Sequence, residues 1–236
     1  MRLSALALPA ALLTTLLSLP AVAGTKTAPR SNALVSLAAN HLGAPSRDVA
    51  VLVTANPLPR ENASGSAAVV RVDDGSDGGI PQCHLLILAG RPATPAKVEA
   101  AERLPVCPRY NQGKGALLQR IELDTRRSAW RLRLGSERYD TMAKGLETLG
   151  LWALLADLGD GKGLRTVFER TSTSFKSKEE PATNQAEVCD VPVLRSGQAP
   201  ETLELPCMTE TMFDKVPKRQ KIVYQYAWQG DRYLAK

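Results

Sequence analysis

Residues 129–140 read AWRLRLGSERYD and residues 226–236 read YAWQGDRYLAK, and the likeness between the two decides how the chain is read. Trp130, Gly135, Arg138 and Tyr139 follow in the same order as Trp228, Gly230, Arg232 and Tyr233. Upstream of each stretch lies a pair of cysteines. Cys83 opens CHLLILAG and Cys107 follows Leu104-Pro105-Val106, while Cys189 opens CDVPVLRSG and Cys207 follows Leu205-Pro206. Two tandem, similar units explain this order.

The same spacing chooses among the three pairings that four cysteines allow. It favours Cys83 with Cys107 and Cys189 with Cys207, one bridge inside each unit. No CxxC occurs, so the cysteines do not read as a zinc knuckle or a redox site.

Short runs bounded by Gly, Pro, Asn and Asp give the fold class. VAVLVTA, AAVVRV, HLLILAG, ALLQRIEL and AWRLRL in the first unit, and LWALLADL, LRTVFER, DVPVLRS, TLELPC and KIVYQYAW in the second, read as strands. Tyr224, Tyr226 and Trp228 alternate with Gln225 and Ala227, as a half-buried strand requires, so the end of the chain should close a sheet. Helices are predicted at SNALVSLAANHL, with Ser31 as N-cap, at TPAKVEAAERL, with Thr94 as N-cap and Pro95 behind it, and at DTMAKGLETLG. The expectation is a mainly β protein with a few short helices.

The first 23 residues carry Arg2, an apolar run and Ala21-Val22-Ala23, the pattern of a cleavable signal peptide. The expected organisation is therefore a signal peptide over 1–23, a linker over 24–31, a first β-rich unit over 32–139 and a second over 140–236. An exported chain, periplasmic or secreted, oxidises its thiols, which agrees with an even cysteine count. No later segment is apolar enough to span a bilayer as a helix, so no stable membrane insertion is expected.

The formal net charge of +6 is mild. Arg126, Arg127, Arg131, Arg133 and Arg138 cluster around one strand, and Lys215, Lys218, Arg219 and Lys221 precede another. With aromatics at only 5% there are few stacking platforms, and an exported chain is a poor candidate for a nucleic-acid partner.

Candidate chemistry is sparse. The sequence has two histidines, His41 and His84, and His84 adjoins a cysteine that a disulfide would remove as a nucleophile. G-x-S-x-G and H-E-x-x-H are absent. The loop DDGSDGG offers Asp73, Asp74 and Asp77 but lacks the residues of an EF-hand. The segment ADLGDGKG, 156–163, resembles the aspartate-glycine loop of FG-GAP-type extracellular β repeats, a family whose loops bind calcium in propeller blades. That resemblance implies Asp157 and Asp160 as calcium ligands, although Gly163 and Leu164 stand where the family has a further aspartate. The residues alone read as an Asp-Gly hairpin turn with Gly161 at positive φ.

These readings converge on a binding protein rather than an enzyme, with no required cofactor. The expected partner is another protein, as for an inhibitor or immunity factor against a secreted hydrolase or toxin, contacted through Arg131, Arg133, Arg138, Tyr139, Trp228, Arg232 and Tyr233. The segment 176–187 is expected to be a loop that adds contacts. The alternative is an exported hydrolase or carbohydrate-active enzyme using Asp157, Asp160, Glu169, His41 or His84.

Overall fold

The computed structural model describes residues 32–56, 64–73, 75, 79–107, 116–123, 128–142, 144–177, 179, 184–195, 202–213 and 216–236. The signal peptide, the 24–31 linker, Asp74, Asp77, Arg126, Arg127 and Lys215 lie outside the described residues.

Among the described residues one α-helix, α1 (Asn32–Leu42), and a 3-10 turn (Ser46–Asp48) precede thirteen strands. Strands β1 (Val49–Ala55), β2 (Ser64–Val72), β3 (Gln82–Arg91) and β4 (Thr94–Arg103) form an antiparallel meander. The second sheet has nine strands: β5 (Leu117–Glu122), β6 (Ser128–Asp140), β7 (Gly145–Asp157), β8 (Leu164–Ser177), β9 (Gln185–Cys189), β10 (Val193–Arg195), β11 (Thr202–Phe213), β12 (Val216–Gln229) and β13 (Arg232–Ala235). Its order is β13-β12-β11-β9-β8-β7-β6-β5, with β10 also paired to β11. The protein is thus mainly β, with two sheets and the bridges Cys83–Cys107 and Cys189–Cys207.

Side-chain alternation stacks these elements in layers. Leu34, Ala38 and Ala39 of α1 pack on Ala68, Val70, Leu86 and Leu88, one face of the first sheet. Ala67, Val69, Cys83 and Leu85 on its other face meet Trp130, Leu132, Leu134, Leu151, Ala153 and Leu155 of β6 and β7. The opposite face of β7 and β8, carrying Trp152, Leu154 and Phe168, packs on Leu203, Leu205, Cys207 and Tyr226. The nine-stranded sheet therefore bends back on itself, and β9–β13 cover β5–β8. The bend lies where β8 and β9 pair only through Ser174↔Ala186 and Phe175↔Gln185.

Strand β7 runs through the middle of this stack. Leu151 to Ala156 are all buried because both faces of the strand are covered, which is why LWALLA shows no polar alternation. Each fully buried leucine contributes about 1.5–3 kcal/mol relative to exposure, so this run anchors both cores at once.

Several expectations change in the structure. TPAKVEAAERL is strand β4, paired with β3 from His84↔Arg103 to Arg91↔Thr94. Its helix-favouring Ala, Glu and Lys are overridden by the open edge of β3, and Pro95 is tolerated because β4 is itself an edge. DTMAKGLETLG is the β6–β7 turn followed by the start of β7: Lys144 takes φ 48°, and Gly145 lies under the Phe175 ring, where a Cβ would collide. The segment 176–187 shortens to the connection between Ser177 and Gln185.

The likeness between 129–140 and 226–236 does not extend to hydrogen bonding. Trp130 to Tyr139 lie on one continuous strand, whereas Trp228 and Tyr233 face each other across the β12–β13 hairpin. The sheets divide between β4 and β5, so 117–140, which the sequence spacing groups with the first unit, belongs to the second sheet.

Candidate functional site

The sequence-predicted contact residues do not form one surface. Tyr233 is buried and stacks edge-on against half-buried Trp228, ring centroids 5.0 Å apart, so both belong to the core under β12 and β13. Arg232 stays outside near Asp231. At the far end of β6, Arg138 is held by Glu147 at 2.7 Å and Tyr139 is exposed beside Leu146.

Arg131 and Arg133 point toward the covering layer. Arg131 donates to Gln119 Oε1 at 2.6 Å, and burial lowers the pKa of its guanidinium. The Arg133 guanidinium lies 5.5 Å from the Trp152 ring. Beside them on β8, Arg170 pairs with Glu187 at 3.0 Å and lies 4.3 Å over the Tyr224 ring. Burial alone would lower the Arg170 pKa, but the hydrogen bond and charge of Glu187 outweigh it and raise it. Glu187 also accepts the Tyr224 hydroxyl, which raises that phenol's pKa, and burial raises that of Tyr226. The Arg–Glu–Tyr cluster joins the layers, and sequence reading missed it because its members come from three separate strands.

Two clefts flank the middle layer. A space of about 190 Å³ opens above Gly135, Gly150 and Ser172, walled by Trp152, Arg133 and Glu187. A Cβ on Gly150 would come within 2.8 Å of Ser172 Oγ, so the absence of a side chain there keeps this floor low. A larger space of about 420 Å³ lies at the seam between the sheets, over Trp130 and Leu155 with Arg120, Glu99 and Asp157 at its rim.

The enzyme candidates stay apart or stay occupied. His84 shares a cleft of about 590 Å³ with Asp48 and Asp73, beside the end of α1. The Asp73 N–H donates to the Asp48 carbonyl at 2.9 Å, and the Asp73 carboxylate is taken by Arg71. The His84 pKa is lowered by burial first and then by the charges of Arg103 and His41. Glu169 is exposed on β8, and Asp157 and Asp160 lie in the β7–β8 hairpin.

In that hairpin Gly161 has φ 79°, as a tight turn requires. Asp157 Oδ1 accepts the Gly159 N–H at 2.9 Å and Asp160 Oδ1 the Lys162 N–H at 3.1 Å, while Asp160 Oδ2 accepts Arg165 at 2.7 Å. The Lys162 hydrogen bond leads the causes that lower the Asp160 pKa. Both carboxylates thus brace their own turn. Among the described residues, Glu187, Cys189 and Cys207 are the one group of ligand types that converges, and its two sulfurs are bonded to each other, which removes them as thiolate ligands.

The remaining distinctive surface is the outer face of β9–β12. Leu203, Leu205 and Cys207 alternate inward, so Pro206 and Met208 face outward with their cross-strand partners Val223 and Val188. Val188 is 55% exposed and Val223 51%. Ion pairs Arg219–Glu210 and Arg195–Glu204, at 2.7 and 2.9 Å, border this apolar strip on either side. Comparison of the chain with protein families, curated proteins and solved structures finds no match.

Proposed function

We propose that the protein is an exported binding protein, periplasmic or secreted, that acts without catalysis by engaging another protein, as an inhibitor or immunity factor does against a secreted hydrolase or toxin. The observation that carries this reading is the outer face of β9–β12. Its apolar strip of Val188, Met208, Pro206 and Val223, bordered by ion pairs, has the core-and-rim make-up of a protein-recognition surface. Rigidity supports the reading. The Cys189–Cys207 bridge joins directly paired residues of β9 and β11 behind the strip, so little ordering entropy is lost when a partner docks.

The hydrolase alternative has less behind it. The two histidines and the acidic candidates do not assemble a nucleophile, base and orienting group within reach of one another among the described residues.

The test is recovery of a stoichiometric protein complex from the extracellular or periplasmic fraction of the native host, by the folded protein and by a Val188→Asp, Val223→Asp variant. The reading expects a defined partner that the variant loses at unchanged thermal stability. Equal recovery by both forms, or no stoichiometric partner across salt and growth conditions, contradicts it.

A further inference from the structure

We propose that the open edge of β12 receives an extended, acidic segment of the partner protein as an added strand. This rests on the protein-binding reading above and specifies how the partner is held.

The edge follows from unequal strand lengths. Strand β12 pairs with β11 along its length from Val216 to Ala227, but β13 covers only Tyr226 to Gln229. No other described strand pairs with β12, so residues 216–224 have one ladder and one open side. Lys236 N–H donates to the Gln225 carbonyl at 3.0 Å, so the backbone of Gln225 points away from β11. Backbone direction alternates along a strand, so Arg219, Lys221 and Val223 turn their N–H and C=O groups to the same open side. Pro217, without an N–H, ends the usable run, and its missing donor falls on the open side, where no ladder bond is lost.

Charge selects the occupant. Residues 216–221 are all exposed; Arg219 is paired with Glu210 at 2.7 Å, and no ion pair among the described residues holds Lys218 or Lys221. A strand laid beside this edge would place alternate side chains next to Arg219, Lys221 and Val223, so acidic, acidic and apolar residues at every second position match it. Pairing of the edge with a second copy of itself would instead set like charges together, the usual protection of exposed edges against self-association. The apolar strip through Val223, Pro206 and Met208 continues from this edge, so an added strand and a docked partner share one continuous surface.

The probe is the capped peptide Glu-Thr-Glu-Thr-Val-Thr-Glu-Thr-Glu, which reads the same in both directions, titrated into the 15N-labelled full-length protein. The expected result is amide shifts and slowed hydrogen exchange centred on Arg219, Lys221 and Val223. Binding should weaken as salt rises and be absent when lysine replaces each glutamate. Lys221→Pro removes a donor that β11 does not use, so it should abolish peptide binding while the melting temperature stays near that of the parent. Lys221→Glu should weaken binding and serves as the second variant if the proline form unfolds.

Absence of shifts at these amides, shifts centred elsewhere, or undiminished binding by both variants overturns strand addition. A concentration-dependent dimer that Lys221→Pro abolishes would assign the edge to a second copy and overturns it too. A native partner that Lys221→Pro still binds but Val188→Asp, Val223→Asp does not would leave the protein-binding reading standing while strand addition falls.

Discussion

Trp152 donates its indole N–H to the backbone carbonyl of Cys189 across 3.2 Å of buried space, tying the central strand of the middle layer to the layer that covers it. Trp152 lies on β7, Cys189 ends β9, and the contact closes the bend through which the nine-stranded sheet becomes two layers. Trp152→Phe keeps an aromatic ring under Arg133 but leaves the carbonyl unpaired. An unsatisfied buried acceptor costs about 1–3 kcal/mol, so urea denaturation should show a loss of that size. A variant as stable as the parent would mean that the bond does not hold the layers.

The two disulfides close sequence separations of 24 and 18 residues. In the chain-entropy model each is worth about 3 kcal/mol, and the logarithmic dependence on loop length makes them nearly equal. Cys83→Ala, Cys107→Ala and Cys189→Ala, Cys207→Ala should therefore show similar losses of stability. Only the second pair underlies the proposed recognition face, so only its removal should also weaken partner binding at temperatures where both variants remain folded.

Gly145 and Phe175 are diagonal neighbours on β7 and β8, arranged so that the ring covers the glycine. Gly145→Ala should force the ring aside and cost about 1–3 kcal/mol by overpacking. The added cost should shrink in a Phe175→Ala background, and a double-mutant cycle reads this coupling directly.

Burial, Arg103 and His41 keep the pKa of His84 below its ordinary 6.5 in the folded state. The folded protein then binds fewer protons here than the unfolded chain, so this contribution to stability is present above about pH 6.5 and declines as the pH falls below it. His84→Gln should flatten that part of the stability profile. Glu102 acts in the opposite sense: burial raises its pKa above 4.5, so its contribution is present at lower pH and is lost as the pH rises. Glu102→Gln should separate the two in parallel denaturation series.

Much of the fold was legible where a strand's partner does not matter. Helix α1, most of the runs from VAVLVTA to KIVYQYAW and the positive φ of Gly161 follow from local pattern, and the cysteine pairing follows from the matched order of the two units. Misreadings arose where neighbours decide: TPAKVEAAERL has a helix-forming composition, yet the free edge of β3 draws it into a sheet. The aromatic end of the chain is part of the sheet, but as a hairpin rather than one strand, because Gln229↔Arg232 closes around Gly230. The recognition face could not be read from sequence. Val188, Pro206, Met208 and Val223 become one strip only through cross-strand register, and which residues of β12 lie beyond the β13 ladder is likewise a matter of register.

The central claim is that the covering layer presents its outer face to a protein partner, and site-specific photocrosslinking tests it most directly. A photoreactive phenylalanine analogue would replace Val223, on the strip, or Lys97, exposed on β4 away from it, in protein returned to its native compartment. The account predicts one discrete adduct from position 223 and none from position 97. Adducts of equal yield from both positions, or from position 97 alone, would contradict it.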